Sequence, residues 1–430
     1  MYRKISTLIK VSFIFFFLLT FLNTSFAATQ IEFWGGWTGP DGDVMRAMVE
    51  KFNSTHPDIH VTLTTLQWTP LYSKFMTAFK AGNMPALFAT HVQELAYLVD
   101  AGVLDPVTDY IHQLGFKSDD FAKRLWDATF YNGIQYGFPL DMHMHGLYYN
   151  ITMFKNAGLN PLRPPVTWND LISIATKLTI DANGKHPNEA GFDINHVKQW
   201  GLGVPTNHHA FYLWYALMCQ QGAGFLTSDF SKVSIDEKKG VAAWKALEDL
   251  IYKYHVTPQG EQNPTNDFLN SQVAMVIDGP WQIPAMQRKE GLKWGVGVFP
   301  KFGTTQAVWG SGHILVLPKG VSSEARKAAV ELAGWIINNS AEWANSGNIP
   351  ALLSVSKTLK FRTLPGRSSF VSMLPYTVFL PNIPKSLQVY SAVAPGPIIL
   401  AAQAAMLKNE DPVRIIQDFT QQVNSILMTP

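Results

Sequence analysis

The chain has 430 residues, of which only 15% are charged and 13% are aromatic. Its 34 Lys and Arg nearly balance its 32 Asp and Glu, so nothing favours nucleic acid or anionic lipid as a partner. Cys219 is the single cysteine; it excludes a disulfide framework, which a chain this long does not need because its core can be large.

The chain opens with Arg3, Lys4 and Lys10 around and before an almost wholly apolar run, residues 11–22, and Ser25-Phe26-Ala27 follows. That order reads as a secretory signal peptide cleaved after Ala27. The apolar run is shorter than the ~20 residues of a membrane-spanning helix, and no cysteine stands near the cleavage site to carry a lipid. All three basic residues of the segment leave with it and no acid does, so the mature chain from Ala28 is net negative by one charge. Its length suggests two or three domains, exported to the periplasm. Thirteen tryptophans exceed what a core of this size needs, so some are expected to line a ligand site.

Next come alternating strand and helix patterns. Residues 31–34 read as a short strand stopped by Gly35-Gly36. Val44, Met48 and Phe52 recur every four residues and predict a helix over 43–53. Ile59, Val61 and Leu63 alternate with polar residues, a second strand. Residues 72–80 read as a helix, 86–90 as a strand and 92–101 as a helix. This β-α-β-α-β-α order implies an α/β fold with a largely parallel sheet. Ligands of such sheets lie outside the carboxyl ends of the strands. Three such ends lead into Trp37, Trp68, and His91 with Gln93, which therefore converge on one edge.

A second α/β pattern follows. Residues 137–140 lead to a strand at 147–150, and Thr167 opens a helix running to about 179. Residues 181–195 read as a loop, and 211–221, 237–254 and 264–269 as helices. Strands are expected at 273–277, 296–300 and 314–318, and a long helix at 323–338. Cys219, beside the apolar run 212–218, reads as buried filler.

Motifs for chemistry are mostly missing. Gly35, Gly36, Gly39 and Gly42 do not fit a nucleotide loop. Gly310-Ser311-Gly312-His313 lacks the nucleophile elbow of a serine hydrolase and reads as a turn opening the strand at Ile314. His143 with His145, and His208 with His209, have neither an H-E-x-x-H frame nor a cysteine partner, so no metal and no cofactor is expected. Asp119-Asp120 and Glu410-Asp411 read as solvated helix starts. A glycoside hydrolase, whose paired carboxylates come from distant positions, is the reading of a different class.

Six segments, in order, carry a resemblance. These are Phe52 to Val61 with Pro57 and Ile59, Ala81-Gly82-Asn83-Met84-Pro85, Gly137-Phe138-Pro139 with Tyr148-Tyr149-Asn150, and Pro165 to Leu171. Ala274 to Trp281 follows, then Pro381-Asn382-Ile383-Pro384 with Tyr390 six residues on. Together they resemble the extracellular solute-binding proteins of ABC sugar importers, the family containing maltose-binding protein. Ala86 stands where that family usually has Asp. The resemblance implies the two-lobed periplasmic-binding-protein fold, type II or Venus-flytrap. One lobe would be residues 28–138 with 302–345, the other 139–301 with 346–430. It also implies a monomer that is no enzyme, binds a carbohydrate in the cleft and delivers it to the importer's membrane subunits.

Sugar rings offer an apolar face to aromatics and a rim of hydroxyls to polar groups. The aromatic candidates are Trp37, Trp68, Trp281, Trp309 and Tyr390, the last by its place in the family's sugar-stacking turn. The polar ones are His91, Gln93, Asp141 and His143, with Gly310 beside Trp309. Trp168, Trp244 and Trp335 lie at helix starts or on helix faces and are expected to pack. The runner-up ligand is glycerol phosphate or another phosphorylated polyol, which needs Arg or Lys at the phosphate; arginine is scarce near these motifs.

Overall fold

The computed structural model describes residues 28–260 and 263–429; the expected signal peptide and its cleavage site lie outside them. Strand Thr29–Gly35 pairs in parallel with Ile59–Thr65 on one side and with Leu87–His91 on the other. Helices Pro40–Thr55 and Trp68–Ala81 make the crossovers. Pro40 begins the first of these, where a missing N–H costs nothing. Met45, Met48, Val49 and Phe52 are buried along one face of it, the spacing that an amphipathic helix gives. Residues 92–101 form a short 3₁₀ turn, Val92–Glu94, before the helix Leu95–Asp100.

The parallel part ends at Leu87–His91. The long strand Val308–Pro318 runs antiparallel between it and Gly137–Met144, so the sheet is mixed. Gly310-Ser311-Gly312-His313 is therefore strand rather than the expected turn. Glycine is needed there because a Cβ on Gly310 would stand 2.5 Å from the His143 carbonyl oxygen.

A second sheet has Gly146–Asn150 at its centre, antiparallel to Met275–Asp278 and Trp294–Gly297; this last strand begins two residues before its expected start. Helices pack around it. Trp168–Leu178 opens with a capping box between Thr167 and Asp170, which satisfies otherwise orphaned N–H groups. His208–Gln220 and Glu237–Tyr252 join through a stack of Trp214 on Trp244, 5.4 Å apart. Cys219, near the end of the first of these helices, is partly buried against the same packing.

Two hydrophobic cores result. Phe33, Phe52, Phe75, Phe88 and Leu315 belong to the first, and Tyr148, Leu171, Trp214, Trp244 and Phe419 to the second. Each large side chain so buried contributes about 1.5–3 kcal/mol. Met142 lies in the first core and Met144 in the second; Ile314 lies in the first and Trp309 in the second. Both strands thus pass from one lobe to the other. Among the described residues no helix is long and apolar enough to cross a membrane.

Candidate functional site

A cavity of about 390 Å³ opens where these crossing strands meet the carboxyl ends of the first sheet. That is the small end of the ~300–1,000 Å³ common for ligand sites. On the first-lobe side stand Trp37, Trp68, Tyr72, His91, Gln93 and His313. Facing them are His209, Tyr212, Trp281, Trp309 and Tyr390, and His143 stands at the junction of the two sides.

Aromatic rings brace one another on both walls. Trp68 stacks on His313 at 5.2 Å and lies 4.2 Å from the His91 ring. Trp37 meets Trp68 edge-on at 5.9 Å. On the other wall Trp309 lies flat on Tyr212 at 4.1 Å, and Trp281 meets His143 edge-on at 5.5 Å. Two glycines allow this. A Cβ on Gly36 would stand 1.9 Å from the Trp68 ring, and one on Gly279 would stand 2.0 Å from the Trp281 ring. Each indole therefore folds directly over backbone. Asp278, which accepts from Thr265 Oγ1 and from Gly279 N, anchors the second turn.

Polar groups are held in place but not used up. Gln93 accepts from Ser311 through Oε1 at 2.6 Å, leaving its amide NH₂. The indole N–H groups of Trp37 and Trp309 are buried and have no hydrogen-bond partner among the described residues. Buried donors seldom stay unpaired. Tyr390 is tied down by its hydroxyl, which donates to Pro381 O at 2.9 Å.

Eight of the ligand candidates read from sequence stand in this wall: Trp37, Trp68, His91, Gln93, His143, Trp281, Trp309 and Tyr390. Two are placed elsewhere. Gly310 sits within the sheet, paired with Met144. Asp141 lies fully buried behind the wall, accepting from Trp343 Nε1 at 2.6 Å and meeting His143 and His313 Nδ1 at 3.2 and 2.9 Å. His313, Tyr72, His208, His209, Tyr212, Asp41 and Glu94 also line the cavity and were not among those candidates. The clearest available signal was His313 itself, a polar residue opening the apolar run Ile314-Leu315-Val316-Leu317. His145 turns away from His143 to His209, with 3.0 Å between Nε2 and Nδ1.

Burial sets the charges. It holds the His143 and His208 imidazoles down to about 4 and His91 and His209 well below their usual range, so they are neutral at pH 7. Burial pushes Asp41 up to about 6 and Glu94 up to about 7. For Asp141 burial acts upward too, but the His313 imidazole and hydrogen bonds from both histidines outweigh it and hold the carboxyl well below the usual range. No Lys or Arg is among the described residues lining the cavity.

The family of bacterial extracellular solute-binding proteins matches residues 47–367. The sn-glycerol-3-phosphate-binding periplasmic protein UgpB of Pectobacterium atrosepticum is 24% identical over 346 residues, 75% of this chain and 73% of that protein. An ABC transporter solute-binding protein from Thermotoga lettingae, solved with α-D-tagatose, superposes with TM-score 0.79 at 25% identity, covering 93% of this chain and 100% of that one. An ABC substrate-binding protein from Listeria monocytogenes, in complex with cycloalternan, shares the fold with TM-score 0.78 at 22% identity, covering 93% and 98%. With two lobes, strands crossing between them and a cavity at the crossing, the chain belongs to the bacterial extracellular solute-binding protein family.

Proposed function

We propose that this chain is the exported, periplasmic binding component of an ABC importer. It holds a small neutral carbohydrate between its two lobes, then presents it to the membrane subunits as a monomer without changing it. One observation carries the choice of ligand: a cavity walled by tryptophan and tyrosine, imidazoles and two carboxylates, with no Lys or Arg among the described residues lining it. Aromatic faces cover the C–H face of a sugar ring, and the Gln93 amide suits its hydroxyls. A micromolar site needs about 8 kcal/mol in total. Two or three stacks at ~0.5–1.5 kcal/mol each beyond burial, with several hydrogen bonds, can supply it.

A phosphorylated polyol, the ligand named for the UgpB relative, would need cationic side chains at its phosphate. Calorimetry of the purified mature protein against neutral mono- and disaccharides and against sn-glycerol 3-phosphate separates the two. Saturable binding of a neutral sugar, recovered intact after incubation, is expected. Tight binding of sn-glycerol 3-phosphate alone would overturn the ligand class, and sugar turnover would overturn the binder.

A further inference from the structure

Three imidazoles meet at the back of the cleft. His91 ends the strand Leu87–His91, His143 lies in Gly137–Met144 and His313 in Val308–Pro318. One donor nitrogen of each lies within 4.8 Å of the other two. Their ring centroids stand 4.5, 4.8 and 5.6 Å apart. The Nδ1 atoms are already engaged. Those of His143 and His313 face Asp141 Oδ1 at 3.2 and 3.0 Å, and that of His91 faces the Tyr72 hydroxyl at 3.2 Å. With Nδ1 of His143 and His313 turned to the carboxylate, Nε2 is the nitrogen of each ring left to face an ion. A metal-bound imidazole has this arrangement: one nitrogen on the ion, the other held by an oxygen that fixes the tautomer.

Charge points the same way. Asp141 is fully buried, and its partners are His143, His313 and Trp343, with no Lys or Arg paired to it among the described residues. A cation on those imidazoles would add positive charge beside this buried carboxylate. Asp41 and Glu94 add two more acidic groups to the wall.

We propose that the Nε2 atoms of His91, His143 and His313 form a site for a divalent transition-metal ion, with its remaining coordination positions open to the cavity. Imidazole donors select zinc, nickel or copper over magnesium and calcium. Three nitrogens about 2.1 Å from a tetrahedral ion stand about 3.4 Å apart, so the three rings must rotate about their side-chain bonds to bring the Nε2 atoms together. The site draws one ligand from each of three neighbouring strands and links both crossing strands to the strand Leu87–His91. It goes beyond the carbohydrate reading and does not depend on it.

The test is zinc chloride titrated into chelator-treated mature protein. One saturable site of micromolar affinity or tighter is expected. His91→Ala and His313→Ala, shown folded by circular dichroism, should weaken it by at least about 100-fold, and Asp141→Asn by about 10–100-fold. Should a variant fail to fold, zinc-dependent shifts of the wild-type imidazole nitrogen resonances serve instead. Absence of zinc binding in the wild type, unshifted imidazole resonances, or equal binding by the folded alanine variants overturns the proposal. Neutral-sugar titrations of the same chelated protein keep the readings apart. Sugar binding without zinc binding sinks the metal site alone, whereas zinc binding without any sugar binding supports it and counts against the ligand class above.

Discussion

Gly36 and Gly279 decide how the two opposed tryptophans lie. Neither is needed for a left-handed backbone; each is needed because an indole ring occupies the space of its Cβ. Gly36→Ala should push the Trp68 ring off its seat, and Gly279→Ala the Trp281 ring. Each variant should lose about one stacking contribution, ~0.5–1.5 kcal/mol of ligand affinity, as read by calorimetry. Wild-type affinity in both would mean that the rings shift without touching ligand. Gly36 was legible as a strand end, but not as a ring seat, since it precedes Trp68 by 32 positions.

On the helix Glu237–Tyr252 the buried residues are Gly240, Ala243, Trp244, Leu247, Leu250 and Ile251, together with an acid, Glu248. Its Oε1 is buried without a hydrogen bond, and burial pushes its carboxyl up to about 7. The unfolded chain releases this proton near ~4.3, while the folded protein keeps it until about pH 7. Stability from this group is thus present below about pH 4 and is lost as pH rises through 7. Glu248→Gln should therefore raise Tm at pH 8, by about 2–4 °C per kcal/mol relieved, and much less at pH 5. Thermal melts at the two pH values check it, and an equal shift at both would contradict it. Element by element, periodicity served well where one face is buried: helix Pro40–Thr55 and helix Ser323–Asn338 follow directly from their apolar spacing. It failed at Gly310-Ser311-Gly312, where close strand packing selects the small residues that also make turns.

For the whole molecule, the parallel start of the first sheet was legible and the crossing was not. Strand order depends on Val308–Pro318 inserting between strands more than 160 residues earlier in the chain. Nothing local records such a partner. The same insertion brings His313 beside His91 and His143, so the histidine cluster is a product of topology and invisible to a motif search. Trp68 and Trp281, by contrast, could be placed because each follows a strand end in its own lobe. A ligand held between lobes must touch both, or binding would not favour closure. Calorimetry of wild type, Trp68→Ala and Trp281→Ala with the tightest neutral sugar, alongside Trp244→Ala from the second core, tests this most directly. Trp68→Ala and Trp281→Ala should each lose about 1–3 kcal/mol of affinity while staying folded, and Trp244→Ala should lose stability but bind normally. Wild-type affinity in Trp281→Ala would contradict a ligand clamped between the two lobes.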